Sequence, residues 1–389
     1  MSKARNASGE SSIHQTADRR WHGYVSMGVK DAGARDRRHV SGQRRADVVA
    51  KVRALEGKRD AGTGGTAGRG PTVAAWLDHW LANIAAPKVR PSTLQRYRQL
   101  VTHQLSPKVG HHRLDRLQPE HVERMYAELL ASGLSPASVL QAHRVLSRAL
   151  KVAMQRGQVA RNVCALVDAP SVARVEVEPL TSDEARRVLR AAEGTRNGAR
   201  WSVAIALGLR QGEALGLPWD ALDLDAGTLR VRQALQRQRG VGLVIVEPKS
   251  TAGRRTISLP RQLVDALRQH RTTQLEDRIA AANVWQDHGL VFAQPNGRPL
   301  DPRSDHRAWR ELLASAGVRQ AKLHDARHTA ATVMLTMGVP ARVVMQVLGH
   351  SQISLTLGTY SHVMPELADD AAARVGDALW GPQATTLAP

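Results

Sequence analysis

His324-Asp325-Ala326-Arg327, then Leu348-Gly349-His350, then Gly358-Thr359-Tyr360 bring two histidines, an arginine and a tyrosine within 37 positions near the C-terminus. Tyrosine is scarce here, with four in the chain (Tyr24, Tyr97, Tyr126 and Tyr360), so its place beside this cluster needs a reason. An arginine clamps phosphate oxygens through paired N–H donors. Histidines move protons near neutral pH, and a tyrosine oxygen can become a covalent attachment point. Together they suit attack on a phosphodiester by a phenol. A lone tyrosine of this kind is usually a core ring with its hydroxyl at the surface; the flanking motifs reverse that reading for Tyr360, while Tyr24, Tyr97 and Tyr126, without such neighbours, read as structural.

Two basic residues lie upstream. Arg210 ends Ala206-Leu207-Gly208-Leu209-Arg210 and opens Gln211-Gly212-Glu213-Ala214-Leu215. Lys249 sits in Glu247-Pro248-Lys249-Ser250, ahead of Arg254-Arg255-Thr256-Ile257-Ser258-Leu259-Pro260. In this order, with each residue of the right type, the motifs resemble the tyrosine recombinase (phage integrase) family from roughly Pro179 to Met364. The resemblance implies a multidomain, mainly α fold with a small antiparallel β-sheet: a helical core-binding domain and an α+β catalytic domain. It also implies a catalytic set of Arg210, Lys249, His324, Arg327, His350 and Tyr360. Arg210 and Arg327 would bind the non-bridging oxygens of the scissile phosphate. Lys249 would protonate the departing 5′ oxygen, His324 would transfer protons and touch the phosphate, and His350 would donate to a phosphate oxygen. Tyr360 would be the nucleophile. Glu213 resembles the acidic residue that orients the first arginine, and Arg254 and Arg255 are expected to touch DNA without taking part in the chemistry.

Charge agrees with a polyanionic partner without identifying it. The formal net charge is +20, and residues 1–70 already carry 15 Lys+Arg against 7 Asp+Glu. Phosphate neutralisation and counterion release reward such a surface. Ribosomal or membrane-surface binding would give a similar total. The lone cysteine, Cys164, excludes an internal disulfide framework. The longest apolar run, Trp201 to Leu209, is half a membrane span, and no signal peptide is visible. The expectation is a cytoplasmic protein with no membrane partner.

The remaining organisation is read from periodicity. Residues 1–20 read as a mobile polar tail. Trp21–Val29 and Arg37–Val40 read as strands, and Gln43–Leu55 as an amphipathic helix; such a unit resembles the arm-binding domain of integrases, with fewer strands than usual. Residues 1–60 are taken as this basic module and 61–70 as the end of a Gly-rich linker that starts near Gly57. Residues 71–169 read as a helical, SAM-like core-binding domain of four helices, starting near Pro71, Ser92, Pro119 and Ser135, the second running to about Leu105. The catalytic domain is placed at 175–389. Its Thr181-Ser182-Asp183-Glu184 is a capping box, residues 200–217 form two short helices meeting at Arg210, and Thr228–Ala234, Leu243–Val246 and Arg254–Leu259 form one three-stranded sheet. Pro365–Trp380 reads as an amphipathic helix that packs on its own domain or docks on a neighbouring protomer.

No cofactor and no metal are expected: the histidines have no Cys partner and no His-Glu-x-x-His. Asp223 and Asp225 read as loop carboxylates. The leading reading is a site-specific recombinase acting on double-stranded DNA as a homotetramer on two sites, with an excisionase or host DNA-bending protein as accessory partner. A type IB topoisomerase-like relaxer would share the chemistry. A DNA-binding protein on a recombinase scaffold would lack it.

Overall fold

In a computed structural model, Met1–Arg174 and Val175–Pro389 form two compact units. Residues 11–29, 35–60, 70–173, 178–248 and 251–349 are described, with Val375, Ala378, Leu379 and Gly381 beyond them. Helix makes up 56% of the molecule and the sheets are small and antiparallel, which is the mainly α, multidomain class expected from the sequence.

The first unit begins with β1 (Ser12–Gln15), β2 (Trp21–Val29) and β3 (Arg35–Gly42), an antiparallel sheet in that order, followed by α1 (Arg45–Asp60). The polar tail expected over residues 1–20 is therefore corrected at 12–15. There the strand Ser12-Ile13-His14-Gln15 carries a single apolar residue, Ile13, packed against the small valine core, which is too few to show alternation. The helix also runs through Gly57 to Asp60, past the point where the linker was expected to begin. Val25, Val48 and Val52 form the small core, with Trp21, Val40 and Leu55 against it. Gly23 allows the close sheet–helix approach, since a Cβ there would lie 2.6 Å from Val52 Cγ2. On the other sheet face, Tyr24 stacks on His14 (5.7 Å between ring centroids) and lies beside His39 (4.8 Å), with the Arg37 guanidinium 4.9 Å from the Tyr24 ring.

A bundle comes next: α2 (Val73–Trp80) with a π-helical continuation, α3 (Pro91–Leu100), α4 (Ser106–Val109), α5 (Pro119–Ala131) and α6 (Pro136–Gln155). Thr72 and Ser135 cap α2 and α6 through their side-chain oxygens. The second helix does not stop at Leu105. It widens into a π turn at Val101–Leu105 and continues as α4, because Pro107 has no N–H to give and its ring would crowd the carbonyl four residues back. Trp80, Leu77, Leu105, Met125, Leu146 and Leu150 are fully buried in one core. Trp76 Nε1 donates to Ala149 O at 3.0 Å. Cys164 is buried here, its thiol pushed up to about 12 by desolvation, a structural rather than reactive cysteine.

The second unit opens on the Thr181 capping box: Glu184 N donates to Thr181 Oγ1 (3.1 Å) and Thr181 N to Glu184 Oε2 (2.8 Å). It starts α7 (Ser182–Ala192), which is followed by α8 (Gly198–Leu207) and α9 (Gln211–Leu215). The single three-stranded sheet expected next is corrected to two sheets. β4 (Leu222–Asp223), β5 (Thr228–Val231) and β8 (Arg255–Ser258) form one, while β6 (Ala234–Gln238) and β7 (Gly242–Val246) form a separate hairpin. The chain leaves the first sheet at Arg232-Gln233, where Gln233 Nε2 donates to Gly216 O instead of continuing the strand. Then come α10 (Arg261–Ala281), α11 (Pro302–Ser315), α12 (Asp325–Thr336) and α13 (Ala341–Leu348). α8 is central, packing against α7, α10 and α12. Among the described residues no helix is long and apolar enough to cross a membrane.

Candidate active site

Helix α8 ends because Gly208 turns left-handed (φ 60°). No other residue fits there: a Cβ would lie 2.7 Å from Leu348 Cδ2 and 3.3 Å from Arg327 Cγ. Two residues later the backbone is extended at Arg210 (φ −61°, ψ 146°), and α9 begins. Glu213, three residues on, accepts from Arg210 N (3.1 Å) and Arg210 Nη1 (2.7 Å). The neighbouring Gln211 pins this turn to α11, donating to Pro302 O (2.8 Å) and Asp305 Oδ2 (2.9 Å). Asp305 is held in turn by the buried Arg200, at 3.2 Å from Nε and 3.0 Å from Nη2.

Helix α13 brings the separate motifs together. The last carbonyls of a helix have no partner within it and carry the negative end of its dipole. Here three arginines from three other elements cap three consecutive carbonyls: Arg255 Nε donates to Val347 O (2.6 Å), Arg327 Nη2 to Leu348 O (2.7 Å) and Arg210 Nη2 to Gly349 O (3.0 Å). Gly349 closes the helix in the left-handed conformation (φ 69°), and a Cβ there would lie 2.7 Å from Arg255 Nη1 and 2.9 Å from Ala252 O. That accounts for the middle residue of Leu348-Gly349-His350. Arg327 also donates to Gly208 O at 2.7 Å, so the end of α8 and the end of α13 share one guanidinium.

Exposure separates the three. The Arg210 side chain is 43% exposed, that of Arg255 7%, and Arg327 as a residue 3%. Arg210 is thus the guanidinium at the surface, with the other two beneath it. The expectation that Arg255 touches DNA is corrected: its donors are committed to Glu213, Val347 O and Gly253 O. Alternation along the strand held the clue, because Arg255 lies two residues before the buried Ile257 and therefore on the same face. Arg254 points the other way, 58% exposed and paired with Glu247. Burial by itself would raise the Glu213 carboxyl, but hydrogen bonds and charge from Arg255 and Arg210 outweigh it and hold it below the ordinary value. Glu213 stays ionised between two cations.

His324 stands at the start of α12, three residues before Arg327. Its pKa is pushed below the ordinary histidine value, first by desolvation, then by the positive charges of Arg327 and Arg210, against an opposing pull from Asp325. His328 meets it edge-on at 5.1 Å between centroids and is lowered by burial and by the same histidine. Both shifts favour the neutral ring. His324, Arg210 and Arg327 are brought together, while Lys249, His350, Tyr360 and, apart from Val375, Ala378 and Leu379, the 365–380 segment lie outside the described residues. Asp223 ends β4 and holds the turn that follows, its Oδ1 accepting from the N–H groups of Asp225 (3.1 Å) and Ala226 (2.8 Å). Among the described residues no group of three or more His, Cys, Asp or Glu is arranged to hold a metal.

The chain and its fold have known counterparts. The phage integrase family model matches residues 178–366, and that of the phage integrase N-terminal SAM-like domain matches 72–130. An integrase of Saccharopolyspora erythraea is 40% identical over 432 aligned positions, covering 97% of this chain and 99% of that one. An integrase of Streptomyces ambofaciens is 31% identical, covering 92% and 93%. Among solved structures, the Tn1549 transposon integrase in complex with transposon right end DNA superposes with a TM-score of 0.68 at 21% identity, over 78% of this chain and 99% of that one. A lambda integrase dimer bound to a core site gives 0.54 at 15% identity, over 92% and 96%. These two speak for the fold.

The molecule is a DNA strand-exchanging enzyme of the tyrosine recombinase class. The chain belongs to the phage integrase family.

Proposed function

We propose that this enzyme carries out site-specific recombination of double-stranded DNA through a covalent 3′-phosphotyrosyl intermediate on Tyr360, integrating and excising a mobile element. The observation that carries this reading is the meeting of Arg210 and Arg327 on the carbonyls of Gly349 and Leu348, just before His350 in the chain, with His324 near enough to feel the charge of both. Arg210 is exposed and takes a non-bridging oxygen of the scissile phosphate. Arg327 adds its charge from below, and two fixed cations stabilise the pentacoordinate transition state.

In the forward step the Tyr360 oxygen bonds to phosphorus and the bond to the 5′ oxygen breaks. The phenol proton passes to a neutral histidine, for which His324 is suited, and Lys249 gives a proton to the leaving oxygen. His350 donates to a phosphate oxygen. The phenol ester keeps the energy of the broken diester, because phenol, with a pKa of about 10, leaves more readily than a sugar alcohol. A 5′-hydroxyl from a partner strand then attacks phosphorus and releases Tyr360. Two sites would be joined in a homotetramer, with an excisionase or host DNA-bending protein setting direction. The basic module at 1–60, with Arg37, Tyr24 and His39 on one sheet face, would engage separate arm sites.

Two plasmid assays test this. A substrate with two partner sites should yield recombinant product, and a supercoiled plasmid without sites should stay supercoiled; relaxation of any plasmid without recombinants would favour a topoisomerase. Deleting residues 1–60 should spare cleavage of a core site while abolishing integration, and loss of core cleavage would contradict the modular reading.

A further inference from the structure

We infer that Arg255 is a positioning residue of the active site, the tie through which the β7–β8 segment, Glu213 and the end of α13 are held in one register. This rests on the recombinase reading for its consequences in catalysis and on hydrogen bonds for its geometry. Arg255 sits at the start of β8 with a side chain only 7% exposed. Its Nη2 and Nη1 form a fork on Glu213 (3.0 Å to Oε2, 3.4 Å to Oε1), its Nε caps Val347 O (2.6 Å), and Nη1 also reaches Gly253 O (3.2 Å). Four acceptors from three segments therefore converge on one planar group.

Glu213 transmits the effect. Its carboxylate takes two bonds from Arg210 and two from Arg255. With Arg255 in place, the Glu213 charge is divided between two cations, and Arg210 keeps a second contact on Gly349 O with its side chain at the surface. Without Arg255, Glu213 has Arg210 as its sole charged partner among these bonds. The pull on Arg210 then grows just where that group must meet a phosphate. At the same time Val347 O loses its donor in a part-buried place, which loosens the helix end leading into His350. The contact of Gly349 against the guanidinium would be lost as well. Lysine keeps the charge but not the fork, so it cannot serve Glu213 and Val347 O together in this geometry.

The test compares Arg255→Lys with wild type in the full chain on four readouts: thermal midpoint, affinity for a core-site duplex across salt, single-turnover cleavage of a nicked suicide duplex, and hydrogen exchange. The expected result is a midpoint within a few degrees, a Kd within about threefold with an unchanged salt slope, and cleavage slowed by about 100-fold. Amides of 347–349 should exchange about tenfold faster. A role in touching DNA predicts instead a weaker Kd with the salt slope reduced by about one, and that outcome overturns the proposal, as does cleavage within threefold of wild type. If the lysine variant does not fold, Glu213→Gln removes the shared charge while keeping the shape and should slow cleavage by a similar factor; unchanged cleavage there overturns the proposal too. Should the wild-type chain trap no DNA at all, the recombinase reading fails, and the exchange of 347–349 still decides whether Arg255 holds that segment.

Discussion

The sheet at the front of the chain and the sheet in the catalytic unit use the same residue type in opposite ways. On the N-terminal sheet, Arg37 lies exposed over the Tyr24 ring, on the face that α1 leaves uncovered. On the catalytic sheet, Arg255 turns inward with Ile257 and spends its donors on protein acceptors. Both belong to a set of 55 basic residues that composition treats alike. Burial separates a charge available to a polyanion from one that builds a site, and Arg210 at 43% exposure has both characters.

The largest test of that contrast is Arg210→Ala. Removing the one exposed guanidinium of the cluster should lower single-turnover cleavage by about 10²–10³-fold, the range seen when a transition-state donor is lost, with core-site affinity changed far less. A Kd effect as large as the rate effect would make Arg210 an ordinary phosphate anchor. Next comes the buried support. Arg200→Met leaves Asp305 charged and buried with Gln211 as its remaining donor among these bonds. Breaking such a pair costs about 3–5 kcal/mol, read as a fall in the chemical-denaturation midpoint; a loss below about 1 kcal/mol would mean that the turn carrying Arg210 is held by other contacts.

Acid provides a milder probe. His324 and His328 both have folded-state pKa values below the ordinary 6.5. A depressed histidine stabilises the fold fully above its unfolded pKa, and that contribution is lost as pH falls below it. Stability should therefore decline from about pH 6.5 downward, and cleavage should hold through that pH and drop only at lower values, as His324 takes its proton. A rate already halved at pH 7 would contradict the assignment. The smallest expected effect is at the front sheet: Arg37→Ala should shift stability by less than about 0.5 kcal/mol and leave core-site cleavage unchanged, while weakening binding to arm-site DNA. Unaltered arm-site binding would remove Arg37 from that face's function.

Much of this was legible in the sequence where periodicity and capping agree. The Thr181 box, the junction at Arg210, and the helices starting at Pro119 and Pro136 appear where local chemistry puts them. The misses have physical causes. Ser12–Gln15 pairs through its backbone and shows no apolar pattern, and α4 continues past Pro107 because a π turn makes room for the ring. The hairpin β6–β7 parts from the main sheet after Val231 and packs against α9 instead, a long-range choice that strand periodicity does not carry. In the site, residue types announced Arg210, His324 and Arg327. Nothing local distinguishes Arg255 from Arg254 except its phase relative to Ile257, and the three-carbonyl cap on α13 joins residues 92 to 139 positions apart in two of its three bonds.

The central claim is that Tyr360 carries the cut strand, and trapping on a nicked suicide duplex tests it most directly. Wild type should give a covalent protein–DNA species whose digested peptide maps to the segment containing Tyr360, and Tyr360→Phe should give none while still binding the duplex. A phenylalanine variant that traps DNA as well as wild type would contradict the account.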